Sequence, residues 1–241
     1  MKIIDLIKEK KADNMNKKAP TIAFLGDSVT QGCFEVYQKT DGGIETVYDK
    51  NCAYHNYFAQ AMSVLYPSVP INIINAGISG DIAPHAYERL ETDVLSKSPD
   101  LVIVCFGLND SSLGKERVGE YTEALEKIFT RLQENEIDVI FMTPNMMNTE
   151  VSCHIESEFF RDIAKNIANT QNDGTMDLYM DEARKVCEKH GVILCDCYEK
   201  WQTMRRCGVD TTELLSNKLN HPTREMNWLF AVSLIETIMK G

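Results

Sequence analysis

The sequence predicts an α/β protein in which one parallel sheet is covered by helices on both faces. Five short apolar runs, too short for helices, recur between longer stretches of helical periodicity. The run Leu101 to Phe106 is apolar throughout, as expected of a central parallel strand buried on both faces. Three successive runs stop at a glycine followed by polar residues. Parallel strands point their carboxyl ends the same way, so these three turns are expected on one edge of the sheet, where open α/β sheets place ligands.

Taken in order, residues 2 to 12 put Ile3, Ile4, Leu6 and Ile7 on one side and lysines on the other, an amphipathic helix that docks on the domain. Thr21 to Leu25 is the first strand and ends at Gly26-Asp27-Ser28. Residues 33 to 52, polar and containing Gly42-Gly43, read as a long loop beside that turn. Ala53 to Leu65 is helical and stops at Tyr66-Pro67. Ile71 to Asn75 is the second strand, followed by Gly77-Ile78-Ser79-Gly80-Asp81 and a helix over about 84 to 97. Leu101 to Phe106 is the third strand, ending at Gly107-Leu108-Asn109-Asp110, and Arg117 to Asn135 is a long amphipathic helix. Val139 to Met142 is the fourth strand, Thr143-Pro144-Asn145 is the loop beyond it, and residues 146 to 155 show no period and are placed to cover a site as a lid. Helices over 156–169 and 176–190 precede the fifth strand, Val192 to Cys195. The last helix is cued by Pro222 and runs to the end.

Length and composition limit the function classes. At 241 residues the chain fits one large domain spanning 1–241 better than two small ones. Lys plus Arg 25 against Asp plus Glu 36 gives a net charge of -11, with no basic stripe for nucleic acid. The N-terminal residues are charged every few positions, so they match neither a secretory signal nor a membrane span, and a cytoplasmic protein is expected. Most of the eight cysteines sit in apolar runs and read as reduced core thiols. Cys195 and Cys197 are the one close pair, with no second pair at zinc-ligand spacing, so no metal site is expected.

The three turns supply a hydroxyl at Ser28, backbone N–H groups near Ser28 and Gly80, and a side-chain amide at Asn109. Those groups suffice to attack a carbonyl and hold the resulting oxyanion. A serine needs a base. His55, His85 and His190 lie in or beside predicted helices and read as structural; His154 falls in the irregular stretch. His221 directly precedes the proline that starts the last helix, on a short loop able to return to the sheet edge. Spacing alone does not choose between His154 and His221. Ser79 imitates the elbow serine of α/β-hydrolases, but Asp81 stands where that motif needs its second glycine.

Gly26-Asp27-Ser28, Gly77-Ile78-Ser79-Gly80-Asp81, Gly107-Leu108-Asn109-Asp110 and His221-Pro222 resemble, in order, the four sequence blocks of the SGNH (GDSL-type) hydrolases. The resemblance spans nearly the whole chain. It implies a flavodoxin-like, three-layer α/β/α fold with a five-stranded sheet in the order 2-1-3-4-5. It also implies an esterase or acylhydrolase on a small-molecule ester, with no metal or other cofactor. Carried over, Ser28 is the nucleophile and first oxyanion donor, Gly80 the second donor through its N–H, Asn109 the third through its side chain, and His221 the general base. One position departs from the pattern: the aspartate that the family usually has three residues before the histidine is Lys218 here. A lysine cannot accept the imidazole N–H. The carbonyl of residue 218, the Asn217 side chain, and the carboxylates of Asp210 and Glu213 are the candidate replacements, with a Ser-His dyad oriented by a carbonyl or Asn217 the favoured arrangement.

The expected reaction is ester hydrolysis through an acyl-enzyme, with O-acetyl groups on a carbohydrate the first choice because no apolar channel for a long acyl chain is evident. A flavodoxin-like nucleotide- or sugar-binding module without hydrolytic activity is the alternative. Against the nucleotide form, Cys33 follows Gly32 where a phosphate loop needs lysine, and no Gly-x-Gly-x-x-Gly occurs.

Overall fold

A computed structural model describes residues 1–240. In chain order the elements are α1 (Lys2–Ala12), β1 (Thr21–Gly26), α2 (Ser28–Gln31), β2 (Cys33–Gln38), β3 (Ile44–Tyr48), α3 (Tyr54–Leu65), β4 (Asn72–Gly77), α4 (Ala83–Glu88), α5 (Leu90–Asp93), β5 (Leu101–Cys105), α6 (Leu108–Ser111), α7 (Val118–Glu134), β6 (Asp138–Met142), α8 (Glu158–Asn172), α9 (Thr175–His190), β7 (Ile193–Cys195), α10 (Cys197–Arg206) and α11 (Arg224–Lys240). Five strands form one sheet in the order β4-β1-β5-β6-β7, every pair parallel, which is the 2-1-3-4-5 order of a flavodoxin-like sheet. Helices α3 and α11 pack together on one side, and α4, α7 and α9 pack together on the other. β1 and β5 lie in the middle and every residue in them is buried, whereas the edge strand β4 is only partly covered. The apolar runs are therefore continuous where both faces are roofed by helices. Ile3 and Ile7 of α1 are fully buried in the same core.

Three parts of the chain depart from the sequence reading. Residues 33 to 52 are not a loop: β2 and β3 pair antiparallel as a separate two-stranded sheet. Their turn is closed by Lys39 N–H donating to the Gly43 carbonyl at 2.7 Å and Gly43 N–H to Asp41 Oδ1 at 2.9 Å. The aromatic and β-branched residues flanking Asp41-Gly42-Gly43 were a hairpin signal that outweighs the local polarity. The expected helix over 84 to 97 is broken at Arg89, whose backbone (φ -96, ψ 1) leaves the helical path between α4 and α5. An additional helix, α10, begins after Asp196, whose carboxylate accepts the Glu199 N–H at 3.1 Å. The spacing Asp-x-x-Glu there is the sequence signature of a helix start.

The break at Arg89 serves the carboxyl edge of the sheet. Its guanidinium donates to the Gly26 carbonyl at 3.1 Å and the Ala76 carbonyl at 2.8 Å, the ends of β1 and β4, and pairs with Asp81 at 2.6 Å and Asp93 at 3.0 Å. The side chains of Arg89 and Asp81 are largely buried. Arg89→Ala would leave the Asp81 charge buried and uncompensated, which costs about 3–5 kcal/mol. A urea titration read by circular dichroism is expected to show that loss, with an Arg89→Ala midpoint equal to wild type as the contrary result.

Candidate active site

The sheet register brings the three turns together. Gly26 pairs with Gly77 on one side and Cys105 on the other, so the residues after each leave the sheet at one level. Two of these glycines are required by close approach. A Cβ at Gly26 would lie 2.1 Å from Thr30 Oγ1, and one at Gly77 would lie 2.3 Å from the Gln31 backbone nitrogen. Helix α2 therefore sits directly on the ends of β1 and β4. Asp27 caps α2 by accepting the Val29 N–H at 3.0 Å. Gln31 joins α2 to the next turn, its Oε1 accepting the Ser79 N–H at 2.7 Å.

Ser28, the first residue of α2, is 3% exposed, and its Oγ lies 2.9 Å from Nε2 of His221, which is 6% exposed. The other imidazole nitrogen, Nδ1, is 2.8 Å from the backbone carbonyl of Phe34. A carbonyl only accepts, so Nδ1 carries the proton, and Nε2 is left bare to accept from the serine hydroxyl. Burial lowers the His221 pKa from its ordinary 6.5, against the Phe34 carbonyl bond and the charge of Glu35, which raise it.

Phe34 is the partner that sequence reasoning missed. It lies 187 positions from the histidine, on the segment read as a loop, and a backbone carbonyl has no residue signature. The four replacements expected for the missing aspartate act elsewhere. Asn217 Oδ1 accepts the backbone N–H groups of Leu219, Asn220 and His221, each at 3.0 Å, so it staples the loop. Lys218 takes a left-handed backbone (φ 57) and bonds through Nζ to the Glu213 carbonyl at 3.0 Å and carboxylate at 2.9 Å, so Glu213 faces the lysine. Asp210 accepts backbone N–H groups of Thr212 and Glu213. The residue 218 carbonyl is not the acceptor of Nδ1, because the Phe34 carbonyl holds that position.

The remaining candidates are placed as follows. Asn109 Nδ2 donates to the Asp81 carbonyl at 2.9 Å, joining the β5 turn to the residue after Gly80. Gly80 has φ 78 and nothing within 4 Å of where a Cβ would stand, so a ligand can approach its backbone. His154 lies 3.9 Å from Glu213, largely exposed, and His85 lies 3.7 Å from Asp81. His55 is packed against Phe24 and Tyr54, 3.0 Å from the Asn75 amide, and burial with the Lys50 charge lowers its pKa to about 4. Among the described residues no group of histidine, cysteine and carboxylate side chains is disposed to hold a metal ion.

Residues 146–148, the start of the stretch read as a lid, are buried, as are Thr143, Pro144 and Asn145 before them. Asn145 Nδ2 donates to the Asn220 carbonyl at 2.8 Å, and Asn148 N–H to the Leu219 carbonyl at 2.7 Å, which anchors the His221 loop to the end of β6. Farther along, His154 and Phe160 face Glu35, Val36, Asn217 and Lys218 across a cavity of about 710 Å³. This cavity adjoins the strand that carries Phe34 and the loop that carries His221.

A five-stranded α/β/α sheet with such turns on its carboxyl edge defines a protein of the SGNH hydrolase fold. The sequence model of the GDSL-like Lipase/Acylhydrolase family matches residues 24–229, and the chain belongs to that family. It is 27% identical over 132 residues to an acetylxylan esterase of Geobacillus stearothermophilus, covering 51% of this chain and 58% of that one. It is 35% identical over 78 residues to the uncharacterized lipoprotein YqeF of Bacillus subtilis (strain 168), covering 30% and 32%. The chain thus spans less than two thirds of the length of these curated relatives. The solved structure of Axe2, an acetylxylan esterase from Geobacillus stearothermophilus, superposes with a TM-score of 0.66 at 20% identity, over 91% of this chain and 94% of that one. A two-domain esterase active on acetylated mannans superposes with a TM-score of 0.68 at 20% identity, over 98% of this chain and 52% of that one. These likenesses show a shared fold.

The same three turns carry buried carboxylates to which the sequence reading gave no role. Burial pushes Asp27 up to about 7, against its Val29 bond, and the charges of Asp110 and Asp81 add to the rise. Burial likewise pushes Asp110 up to about 7, against the Ala83 N–H bond, with Asp81 adding to it; one Asp110 oxygen has no partner. Between their ordinary 3.8 and about 7 these groups are ionised in the unfolded chain and protonated in the fold. Stability is therefore lost as pH rises through that window. The wild-type urea midpoint should contain a component that falls between pH 4 and 7, and Asp110→Asn should make the fall shallower. Parallel profiles for the two proteins would contradict the assignment.

Proposed function

We propose that the protein is a serine esterase that cleaves carboxylic esters through a Ser28–His221 dyad and an acyl-enzyme. The observation that carries this reading is the relay from Ser28 Oγ to His221 Nε2, and from His221 Nδ1 to the Phe34 carbonyl. His221 takes the Ser28 proton as Oγ attacks the ester carbonyl, and the imidazolium then protonates the leaving alcohol. The Ser28 and Gly80 N–H groups and the Asn109 amide hold the oxyanion in both steps. Water, activated by the same histidine, releases the acid. A carbonyl dipole stabilises the imidazolium less than a carboxylate would, so more of the rate enhancement falls to the oxyanion donors.

Acetyl is the acyl group this reading favours, because Ser28 is almost wholly enclosed, at 3% exposed, and leaves little room for a long chain. The alcohol is proposed to be a carbohydrate, in line with the acetylxylan esterase relative, and the cavity beside the His221 loop has room for a sugar. One hydrolase domain over 1–241 that needs no metal or cofactor completes the proposal. Among the described residues no helix is long and apolar enough to cross a membrane. The eight free cysteines fit a reducing compartment, so a cytoplasmic location is proposed, with the lipoprotein relative as the contrary precedent. The binding-module alternative is not favoured, since a nucleotide site makes no use of a histidine bonded to a serine.

Ser28→Ala is expected to lower hydrolysis of 4-nitrophenyl acetate by at least about 10³-fold while the fold is kept. A fluorophosphonate should label the wild type at Ser28, and a folded Ser28→Ala protein with full activity refutes the mechanism. His221 works as a base only when neutral and its pKa is lowered, so the acid limb of kcat/KM is expected to have its midpoint below 6.5. An acid limb above that value would contradict the buried, carbonyl-bonded histidine.

A further inference from the structure

The carbonyl that holds His221 belongs to a hairpin outside the main sheet. An isolated two-stranded hairpin is marginally stable in water, yet the Nδ1 contact requires Phe34 to be held to a few tenths of an ångström. The Arg224 side chain reaches β2 and the residue that follows β3. Arg224, three residues after His221 and the first residue of α11, lies with its guanidinium 4.3 Å from the centroid of the Phe34 ring. Its Nη1 and Nη2 donate to the two carboxylate oxygens of Glu35 on β2 at 2.6 and 3.1 Å. Its Nε donates to Asp49, the residue after β3, at 3.1 Å. Asp49 in turn donates its N–H to the Gly32 carbonyl at 2.9 Å, which closes the base of the hairpin.

We infer that Arg224 is the positioning residue of the His221–Phe34 pair, a clamp that fixes the hairpin carbonyl to the segment carrying the histidine and so replaces the geometric part of the absent aspartate. The planar guanidinium is what the geometry uses: a forked pair to one carboxylate, a third donor to another, and a flat face for the ring. An ammonium matches the charge but not the fork or the face. Arg224 covers the Phe34 ring and pairs with the next residue, Glu35, so slack in that pairing is transmitted along β2 to the Nδ1 bond. Glu35 and Asp49 together carry one more charge than Arg224 neutralises, which leaves a net negative site behind the imidazole without a carboxylate touching it. The kinetic consequence of the clamp rests on the esterase reading; the geometric consequence does not.

The test compares wild type with Arg224→Lys, Glu35→Gln and Asp49→Asn. Two quantities are read: kcat and KM on 4-nitrophenyl acetate, and the downfield proton resonance of His221 Nδ1. Arg224→Lys and Glu35→Gln are expected to lower kcat by about 10- to 100-fold with KM held within about two-fold, as loosened positioning does. Both should broaden the Nδ1 proton by solvent exchange. Asp49→Asn, which loosens one arm only, should have a smaller effect in the same direction. If Arg224→Lys does not fold, the Glu35→Gln comparison decides. Wild-type kcat with a sharp Nδ1 signal in the folded variants overturns the inference, as does a rise in KM alone or a loss of kcat with the Nδ1 signal unchanged. A wild-type protein that neither hydrolyses the ester nor reacts with a fluorophosphonate refutes the esterase reading instead, and the Nδ1 comparison still decides the clamp.

Discussion

The hydrogen bond from His221 Nδ1 to the Phe34 carbonyl is the contact on which the site depends. It sets the tautomer, and the tautomer decides whether Nε2 can accept from Ser28. Every neighbouring element is arranged to hold one end of it. On the histidine side, Asn217 gathers three consecutive N–H groups, Ser216 N–H bonds the His221 carbonyl at 2.8 Å, and Asn145 fastens the loop to the end of β6. On the carbonyl side the hairpin is held by α11 through Arg224. The loop and the hairpin come from opposite ends of the chain, and a single helix start joins them.

A backbone carbonyl in the place of a carboxylate changes the electrostatics as well as the geometry. A carboxylate would bring a further full charge to a sheet edge where burial already pushes Asp27 and Asp110 up to about 7. Burying a carboxylate carries its own desolvation cost. A neutral dipole orients the imidazole and adds no charge, while the ionised Glu35 and Asp49 remain at the half-exposed rim, paired with Arg224. Lys218, at the position where the family pattern has its aspartate, is turned to Glu213 and takes no part in holding the ring.

The sheet does the rest of the positioning. Gly26, Gly77 and Cys105 end at one level because β1, β4 and β5 are parallel and in register. Arg89 ties two of those ends together, and Gln31 and Asn109 join the turns to one another. Groups separated by some eighty residues in sequence become neighbours with little freedom, since the interior transmits their positions through close packing.

Much of this was legible in the sequence. The uninterrupted apolar run of β5 identifies a central parallel strand, because a strand apolar at every position needs a roof on both faces. The glycine and polar turns that close three strands mark the carboxyl edge, and with His221-Pro222 they identify the family. Local chemistry also held the signals for the hairpin and for α10, where Asp41-Gly42-Gly43 and Asp196-x-x-Glu199 outweighed the surrounding polarity. The break at Arg89 was not legible, since it answers to carbonyls on two other strands. Nor was the partner of His221: every residue carries a backbone carbonyl, so no side chain marks Phe34, and only the docking of the hairpin against the start of α11 brings that oxygen within 2.8 Å of the imidazole. The sequence by itself determined which side chains were available for the chemistry, because identity and local pattern are written residue by residue. Which oxygen stands behind the histidine was decided by tertiary structure alone, because that choice depends on distance between segments and not on any residue's identity.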